Sequence, residues 1–262
     1  MKRISIALLS GGKDSTLTTV KCIEKRGKEC EIVFLDTGWE HIETYKHIAL
    51  LNRLFIERWG ISITHLKSVT MKDLVLSKRF FPNYPRRYCT YFLKLKPFYD
   101  WLLNRHKKED FDLVEIWTGV RKEESEKRRD RKPVMVFKKG AKIRKSIPKL
   151  PFHTIYVYPI LEYAEEEVFE ELKRLDIPVN PLYRKGHKRV GCYPCLASER
   201  SIKHVIKDAL AGDEFAKERV EEIKRLEEIL GRKVKKKSIN ELIRKEYLLS
   251  RQKSLSGFVV SK

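Results

Sequence analysis

Acidic residues are in short supply. The chain has 36 Asp and Glu against 57 Lys and Arg, a formal charge of +21, and such a field draws polyanions and raises their encounter rate. The same excess suits the solvated surface of a heat-adapted protein, a reading strengthened by the single glutamine, Gln252. Net charge bears on binding and solubility more than on fold, so both readings stay open. No apolar run approaches the ~20 residues of a membrane span. The opening Met1-Lys2-Arg3 leads into too short an apolar stretch for a secretory leader, so a soluble, cytoplasmic protein is expected. Cysteine is sparse and odd in number, five in all. Without an export signal this argues for reduced thiols with metal or chemical roles, against a disulfide framework.

What is present reads as α/β. Residues 3–9 and 31–35 are short runs rich in Ile, Val, Leu and Phe with a helix-length stretch between them, a βαβ unit of a mostly parallel, doubly wound sheet. The spacing predicts a helix over 41–58, a strand near 62–65, a helix over 90–104 despite Pro97, a strand at 112–117, another at Tyr156–Leu161, and a helix at 165–175. Residues 120–149 are basic and read as a long loop containing one apolar island, Val134–Phe137. From Ser198 the pattern is helical; Ser238 and Glu241 form a capping box for a last helix ending near Leu249, and the final dozen residues read as loose. Two domains are expected, 1–185 for nucleotide binding and 186–262 for a cysteine-bearing segment with helices.

The first strand runs into Ser10-Gly11-Gly12-Lys13-Asp14-Ser15. A Walker loop would need glycine five residues before Gly12 and Ser or Thr after Lys13, where this chain has Ala7 and Asp14. The physics is nonetheless related. Glycines let backbone N–H groups approach an anion, the next helix presents its positive end, and Ser10, Lys13, Ser15 and Thr16 add donors. Asp36, Thr37 and Gly38 follow the second strand, where ligands of open parallel sheets bind. Gly119, Arg121, Glu124, Ser125 and Arg128 follow the strand at 112–117, and guanidinium groups suit phosphates. Arg129 and Arg131 read as a solvated charge run.

Five ordered segments carry a resemblance over roughly residues 3–195: SGGKDS, LDTGWEHIETY (35–45), YCTYFLKLKPF (88–98), TGVRKEESEKRR (118–129) and NPLYRKGHKRVGCYPC (180–195). Together they resemble the phosphoadenosine phosphosulfate (PAPS) reductase-like family of the adenine-nucleotide alpha-hydrolase, or PP-loop ATP pyrophosphatase, superfamily. The resemblance implies that Ser10 to Ser15 hold pyrophosphate, that Asp36, Thr37 and Gly38 hold the nucleoside, and that Lys94, with Lys96 the poorer match, belongs to the same cradle. It also implies ATP as substrate, magnesium, and dimers or partner proteins such as a sulfur donor.

Cys192 and Cys195 stand at C-x-x-C spacing, able to grip one metal centre from a tight turn. In relatives that carry an iron–sulfur cluster, a cysteine or cysteine pair at the position of Cys89 joins them; here Thr90 follows Cys89, so one ligand of a pair is missing. Three thiolates suffice for a 4Fe–4S cluster with one open iron. A zinc site with His187, or a redox dithiol, are the alternatives. Cys22, Cys30 and His47 read as packed side chains.

Sulfonucleotide reductases of the family attack with a C-terminal cysteine, and no cysteine follows Cys195 in this sequence. The expected activity is therefore ATP pyrophosphatase chemistry serving sulfur transfer, with nucleic acid as acceptor. Lys13, Asp14, Arg121 and Arg128 are the expected catalytic residues. A reductase using thiols in trans and a non-catalytic nucleotide binder remain open.

Overall fold

The computed structural model describes residues 2–259. In chain order the elements are β1 (Arg3–Leu9), α1 (Lys13–Arg26), β2 (Cys30–Asp36), α2 (Ile42–Trp59), β3 (Ile63–Lys67), α3 (Met71–Lys78), the single turn α4 (Tyr88–Thr90), α5 (Lys96–Glu109), β4 (Leu113–Trp117), α6 (Glu126–Arg129), β5 (Val134–Phe137), β6 (His153–Val157), α7 (Glu165–Arg174), α8 (Glu199–Leu210), α9 (Glu214–Leu230) and α10 (Ile239–Val259). The chain divides into two compact units. The first comprises residues 2–37, 42–68 and 90–191, the second residues 38–41, 69–89 and 192–259. Among the described residues no helix is long and apolar enough to cross a membrane.

The first unit holds one six-stranded sheet in the order β3-β2-β1-β4-β6-β5. All neighbours are parallel except β5 and β6. Strand alternation sends alternate side chains to opposite faces, and both faces are covered. Ala7, Leu9, Ile32, Phe34 and Trp117 join Leu17, Val20, Leu51, Phe55, Val168 and Leu172 of α1, α2 and α7 in one core. Ile4, Ile6, Val33, Val114 and Ile116 join Phe98, Tyr99 and Leu102 of α5 in the other. The doubly wound α/β fold expected from the sequence is present.

Three local expectations change. Val134–Phe137 is no loop island: it pairs antiparallel with β6, Val134 opposite Val157 and Phe137 opposite Thr154, because a β-branched and aromatic tetrapeptide fits the open edge of β6. β6 itself is His153–Val157 and stops before Pro159, which has no N–H to give a ladder. α10 continues past Leu249 to Val259; its capping box is as expected, the Ser238 N–H donating to Glu241 at 2.7 Å and the Glu241 N–H to Ser238 Oγ at 3.2 Å. Pro97 is accommodated at the second residue of α5, where the π-helical stretch Tyr91–Leu95 hands over to the α-helix.

The second unit has its own packing. Arg219 of α9 lays its guanidinium 3.8 Å from the Trp39 ring centre, a cation–π contact on a fully buried indole. His41 meets Tyr193 and Phe215 edge-on at 4.6 and 4.7 Å. Glu227 of α9 accepts N–H groups from Val234 and Ile239 at 2.6 and 3.0 Å, tying the turn before α10 to the helix.

One charge lies inside the sheet of the first unit. Glu115 of β4 is 4% exposed and accepts from Ser5 Oγ (2.9 Å), Trp117 Nε1 (3.2 Å) and both Arg26 nitrogens, Nε at 2.8 Å and Nη2 at 2.6 Å. Burial pushes its carboxyl upward, yet the Arg26 and Ser5 hydrogen bonds outweigh that and hold it below the ordinary value. Its stabilisation is therefore present above the ordinary carboxylate range and is lost as pH falls through the lowered folded value. Glu115→Ala should cost about 3–5 kcal/mol in urea unfolding at neutral pH by stranding Arg26. The gap to wild type should narrow in acid; a gap that holds constant down to strongly acidic pH would contradict the assignment.

Candidate nucleotide site and cysteine turn

β1 and β4 lie side by side at the centre of the sheet, Ala7 opposite Trp117, and the chain leaves both strands at the same edge. Strand order reverses here, since β2 lies on one side of β1 and β4 on the other; the crevice beyond such a point is where open α/β sheets bind ligands. Gly11 adopts φ +76°, and a Cβ there would stand 2.9 Å from Thr44 Cγ2, so both conformation and space require glycine. The Gly12 carbonyl accepts from Ser15 Oγ at 2.9 Å, Thr16 Oγ1 at 3.0 Å and the Thr16 N–H at 3.0 Å. Ser10 Oγ lies 2.9 Å from Ser15 Oγ. α1 opens without a side-chain cap at Gly12, and a helix start of this kind carries the positive end of the helix dipole.

β4 presses on this turn. A Cβ at Gly119 would stand 2.5 Å from the Asp14 carbonyl carbon and 2.7 Å from the Ser15 nitrogen, so β4's exit and the start of α1 meet backbone to backbone. Arg121, 4% exposed, donates through Nε to Asp14 Oδ1 at 2.7 Å and through Nη1 to Glu123 at 2.8 Å. Lys13, 3% exposed, has its ammonium 3.2 Å from Asp14 Oδ2 and 3.0 Å from Glu165, above the rings of Tyr183 and Phe169 at 5.2 and 5.5 Å. The carboxylates balance two buried cations that a polyphosphate would otherwise neutralise. Asp14 and Glu165 also offer the hard oxygen donors that magnesium takes.

Other expected residues are placed as follows. Asp36 ends β2, accepts from Tyr45 Oη at 2.7 Å and has Lys67 Nζ at 3.9 Å; Thr37 after it is buried. Gly38, in the second unit, has φ +63° and space closed by Thr70, whose Cγ2 would be 2.9 Å from an added Cβ. Lys94 is half-buried on a stretch of π-helix, Tyr91–Leu95. Lys96 is exposed and paired with Asp100 at 2.5 Å, one turn along α5. Arg128 pairs with Glu124, which Arg189 also approaches at 3.3 Å. Cys22 and Cys30 are buried in the first core, and their mutual hydrogen bond, with burial, pushes the Cys22 thiol up. His47 is buried in α2 and its imidazole is pushed down to about 4 by burial, a neutral packed ring.

Three partners of the turn escaped the sequence reading. Asn180, wholly buried, donates to the Gly11 carbonyl and to Thr44 Oγ1, each at 3.2 Å. Tyr183 Oη accepts the Lys13 N–H at 3.0 Å, and burial pushes its phenol up, so it stays a neutral hydroxyl. Glu165 is the third. Asn180 and Tyr183 lie in the NPLYRKGHK segment, whose asparagine before proline was the available signal; Glu165 had none.

Cys89, Cys192 and Cys195 all belong to the second unit and all are half-buried. The turn carrying the last two is fixed from several sides. The Tyr193 N–H donates to the Trp39 carbonyl at 2.7 Å, Trp39 Nε1 to the Pro194 carbonyl at 3.1 Å, Tyr193 Oη to Asp208 at 2.6 Å, and the Cys195 N–H to Ser201 Oγ at 2.9 Å. Glu40 and Cys192 form an isolated antiparallel bridge. Burial holds the Lys235 ammonium below its ordinary value, against the smaller opposing pull of the neighbouring Cys195 and Glu199. His187 is buried in the first unit, its N–H on the Leu182 carbonyl at 3.1 Å.

The architecture is that of a mostly parallel α/β protein with a glycine turn leading from its central strand into a helix. Residues 5–198 match the phosphoadenosine phosphosulfate reductase domain, and the chain belongs to that family. An uncharacterized protein of Methanocaldococcus jannaschii is 31% identical over 208 residues, which is 79% of this chain but 39% of that protein, so the chain spans about two fifths of that relative's length. Adenosine 5'-phosphosulfate reductase of Pseudomonas aeruginosa is 29% identical over 191 residues, 71% of this chain and 64% of the enzyme. The U34-tRNA thiolase NcsA of Methanococcus maripaludis, solved with its 4Fe–4S cluster, aligns over 95% of this chain and 72% of its own at 19% identity and a TM-score of 0.41.

Gly119→Ala should lower stability by at least ~2 kcal/mol, because the atoms it meets are backbone and cannot swing aside. Thermal unfolding checks this; an unchanged midpoint would mean that the approach of β4 to α1 is loose.

Proposed function

We propose that the protein is a PP-loop ATP pyrophosphatase that activates an oxygen of an acceptor, nucleic acid by preference, for replacement by sulfur. The observation that carries this reading is the glycine turn itself, with Lys13 and Arg121 buried beside it and carboxylates in place for magnesium. In the proposed first step an acceptor oxygen attacks the α-phosphorus of ATP and the bond to the β-phosphoryl oxygen breaks, giving adenylated acceptor and pyrophosphate. In the second, a sulfur nucleophile forms a bond to the activated acceptor atom and AMP leaves with the oxygen. Lys13, the turn's N–H groups and magnesium would take up the charge of the departing pyrophosphate, and Arg121 and Arg128 that of the phosphate chain. Asp14 orients Arg121 and Lys13.

Three cysteines in one unit, two of them on a turn held by buried hydrogen bonds and one beside a lysine, suit a thiophilic centre. Cys89, Cys192 and Cys195 would hold it. Such a group, when bound, supplies an open coordination position for sulfide or a thiol. The charge of +21 supports a polyanionic acceptor.

A second reading, a reductase of a sulfonucleotide, is favoured by the similarity to the Pseudomonas aeruginosa enzyme. Products separate the two. Incubation with ATP, magnesium, a sulfide donor and bulk RNA or DNA should release AMP and pyrophosphate in equal amounts, while adenosine phosphosulfate with a thiol yields no sulfite. Sulfite from the sulfonucleotide with no pyrophosphate from ATP would reverse the order. Lys13→Ala should abolish pyrophosphate release, by more than about a hundredfold, and leave metal content unchanged. Cys192→Ser should lose the metal and keep nucleotide binding. Full activity in both variants would remove these residues from the mechanism.

A further inference from the structure

The segment that begins at the end of α6 is strongly basic: residues 128–149 hold ten Lys and Arg and one acid, Asp130. It includes β5 and its turns, and with β6 it encloses a cleft of about 350 Å³, within the range of small-ligand sites. Met135 and Ile143 form an aliphatic part of the lining, and two other kinds of group give the cleft its character. Phe137, Tyr156 and Tyr158 supply rings; Arg131, Lys132 and Arg144 supply cations. Asp130 is the acid in the lining.

The rings are held. Tyr156 of β6 and Tyr158 just past its end have ring planes 19° from parallel and centres 6.4 Å apart. Phe137 of β5 meets Tyr156 edge-on at 5.9 Å. The Tyr156 hydroxyl is tied to the Tyr99 hydroxyl of α5, and Tyr158 is buried under Arg131, whose guanidinium lies 5.4 Å from the ring centre. Phe137 and Tyr156 remain half-buried, so part of each is open to an incoming ring.

The cations are unspent. Among the described residues no carboxylate lies within ion-pair distance of Arg131, Lys132 or Arg144, although most lysines and arginines around the glycine turn have one. Stacking on Tyr158 orients Arg131 while using none of its hydrogen-bond donors. Three uncompensated cations around fixed aromatic rings, in a cleft of nucleotide size, have one complementary ligand chemistry: an aromatic ring joined to phosphate.

We propose that this cleft binds an unpaired nucleotide of a single-stranded polynucleotide, its base against Phe137 and Tyr156 and its flanking phosphates against Arg131, Lys132 and Arg144. A polynucleotide is favoured over a free nucleotide because the basic run continues beyond the cleft through Lys138, Lys139, Lys142, Lys145 and Lys149. As the place where an acceptor is held, the cleft rests on the sulfur-transfer reading; as a nucleotide-binding cleft it does not.

Fluorescence anisotropy of a labelled short oligouridylate on the wild-type protein, without ATP, tests it. Arg144 and Lys132 are exposed, so Arg144→Glu and Lys132→Glu leave the fold intact, and Phe137→Ala removes one ring. Each should weaken oligouridylate binding about tenfold while ATP affinity stays as in wild type. Lys236→Glu makes the same charge change at an exposed position of the second unit and should weaken it less than about twofold. A sugar-phosphate oligomer of equal length lacking bases should bind about tenfold more weakly. Equal loss in Lys236→Glu, or equal binding of the baseless oligomer, would overturn the proposal in favour of a diffuse field. Displacement by free uridine monophosphate at concentrations matching the oligomer's own affinity would overturn it in favour of a small-molecule site. Pyrophosphate release from ATP is not part of the readout, so failure here and failure of the adenylation reading are distinguishable.

Discussion

The close approach of Gly119 to Asp14 and Ser15 is the constraint on which the rest of the proposed nucleotide site depends. At 2.5 Å from a hypothetical Cβ to a backbone carbon there is room for hydrogen alone. That contact sets where α1 starts relative to the end of β4, and with it the reach of Arg121 to Asp14, 107 residues away in sequence. Asp14 then serves two cations at once, Lys13 and Arg121. Remove the glycine and the carboxylate, lysine and guanidinium no longer share one point.

Below that contact the sheet supplies rigidity in an unusual way. A parallel strand buried on both faces ordinarily reads as continuous apolar sequence, and β4 breaks the rule with Glu115. Its four hydrogen bonds, two of them from Arg26, connect β1, β4 and the last turn of α1. α1 is thereby fixed at both ends: at its start by the glycine turn, Asn180 and Tyr183, and at its end by a buried ion pair. The proposed role of the turn in holding a polyphosphate would benefit from such a helix, because preorganised donors lose no free energy to rearrangement when charge develops.

How much of this could be read in advance depended on sequence distance. β1, α1 and β2 were legible because a βαβ unit declares itself in local periodicity, and the glycine turn was legible because its residues are consecutive. β5 was missed because four residues between basic stretches carry little pattern of their own and became a strand only through pairing with β6. β6 was displaced because His153 and Thr154 look unlike a buried strand while Tyr158 to Leu161 look more like one. Asn180 and Tyr183 contact the turn from 169 and 170 residues away, and Glu165 reaches Lys13 from the start of α7; no spacing rule brings such partners together. The ring-and-cation cleft was hidden for the same reason, since Arg131 reads as a solvated charge until Tyr158 is placed beneath it.

The central claim is that the turn between β1 and α1 is a pyrophosphate site, and titration calorimetry with inorganic pyrophosphate and magnesium tests it most directly. The account predicts that pyrophosphate binds the wild-type protein, competes with ATP, and loses its binding in Lys13→Ala under conditions where that variant, less stable than wild type, is still folded by circular dichroism. ATP that binds with undiminished affinity in the presence of saturating pyrophosphate would contradict it.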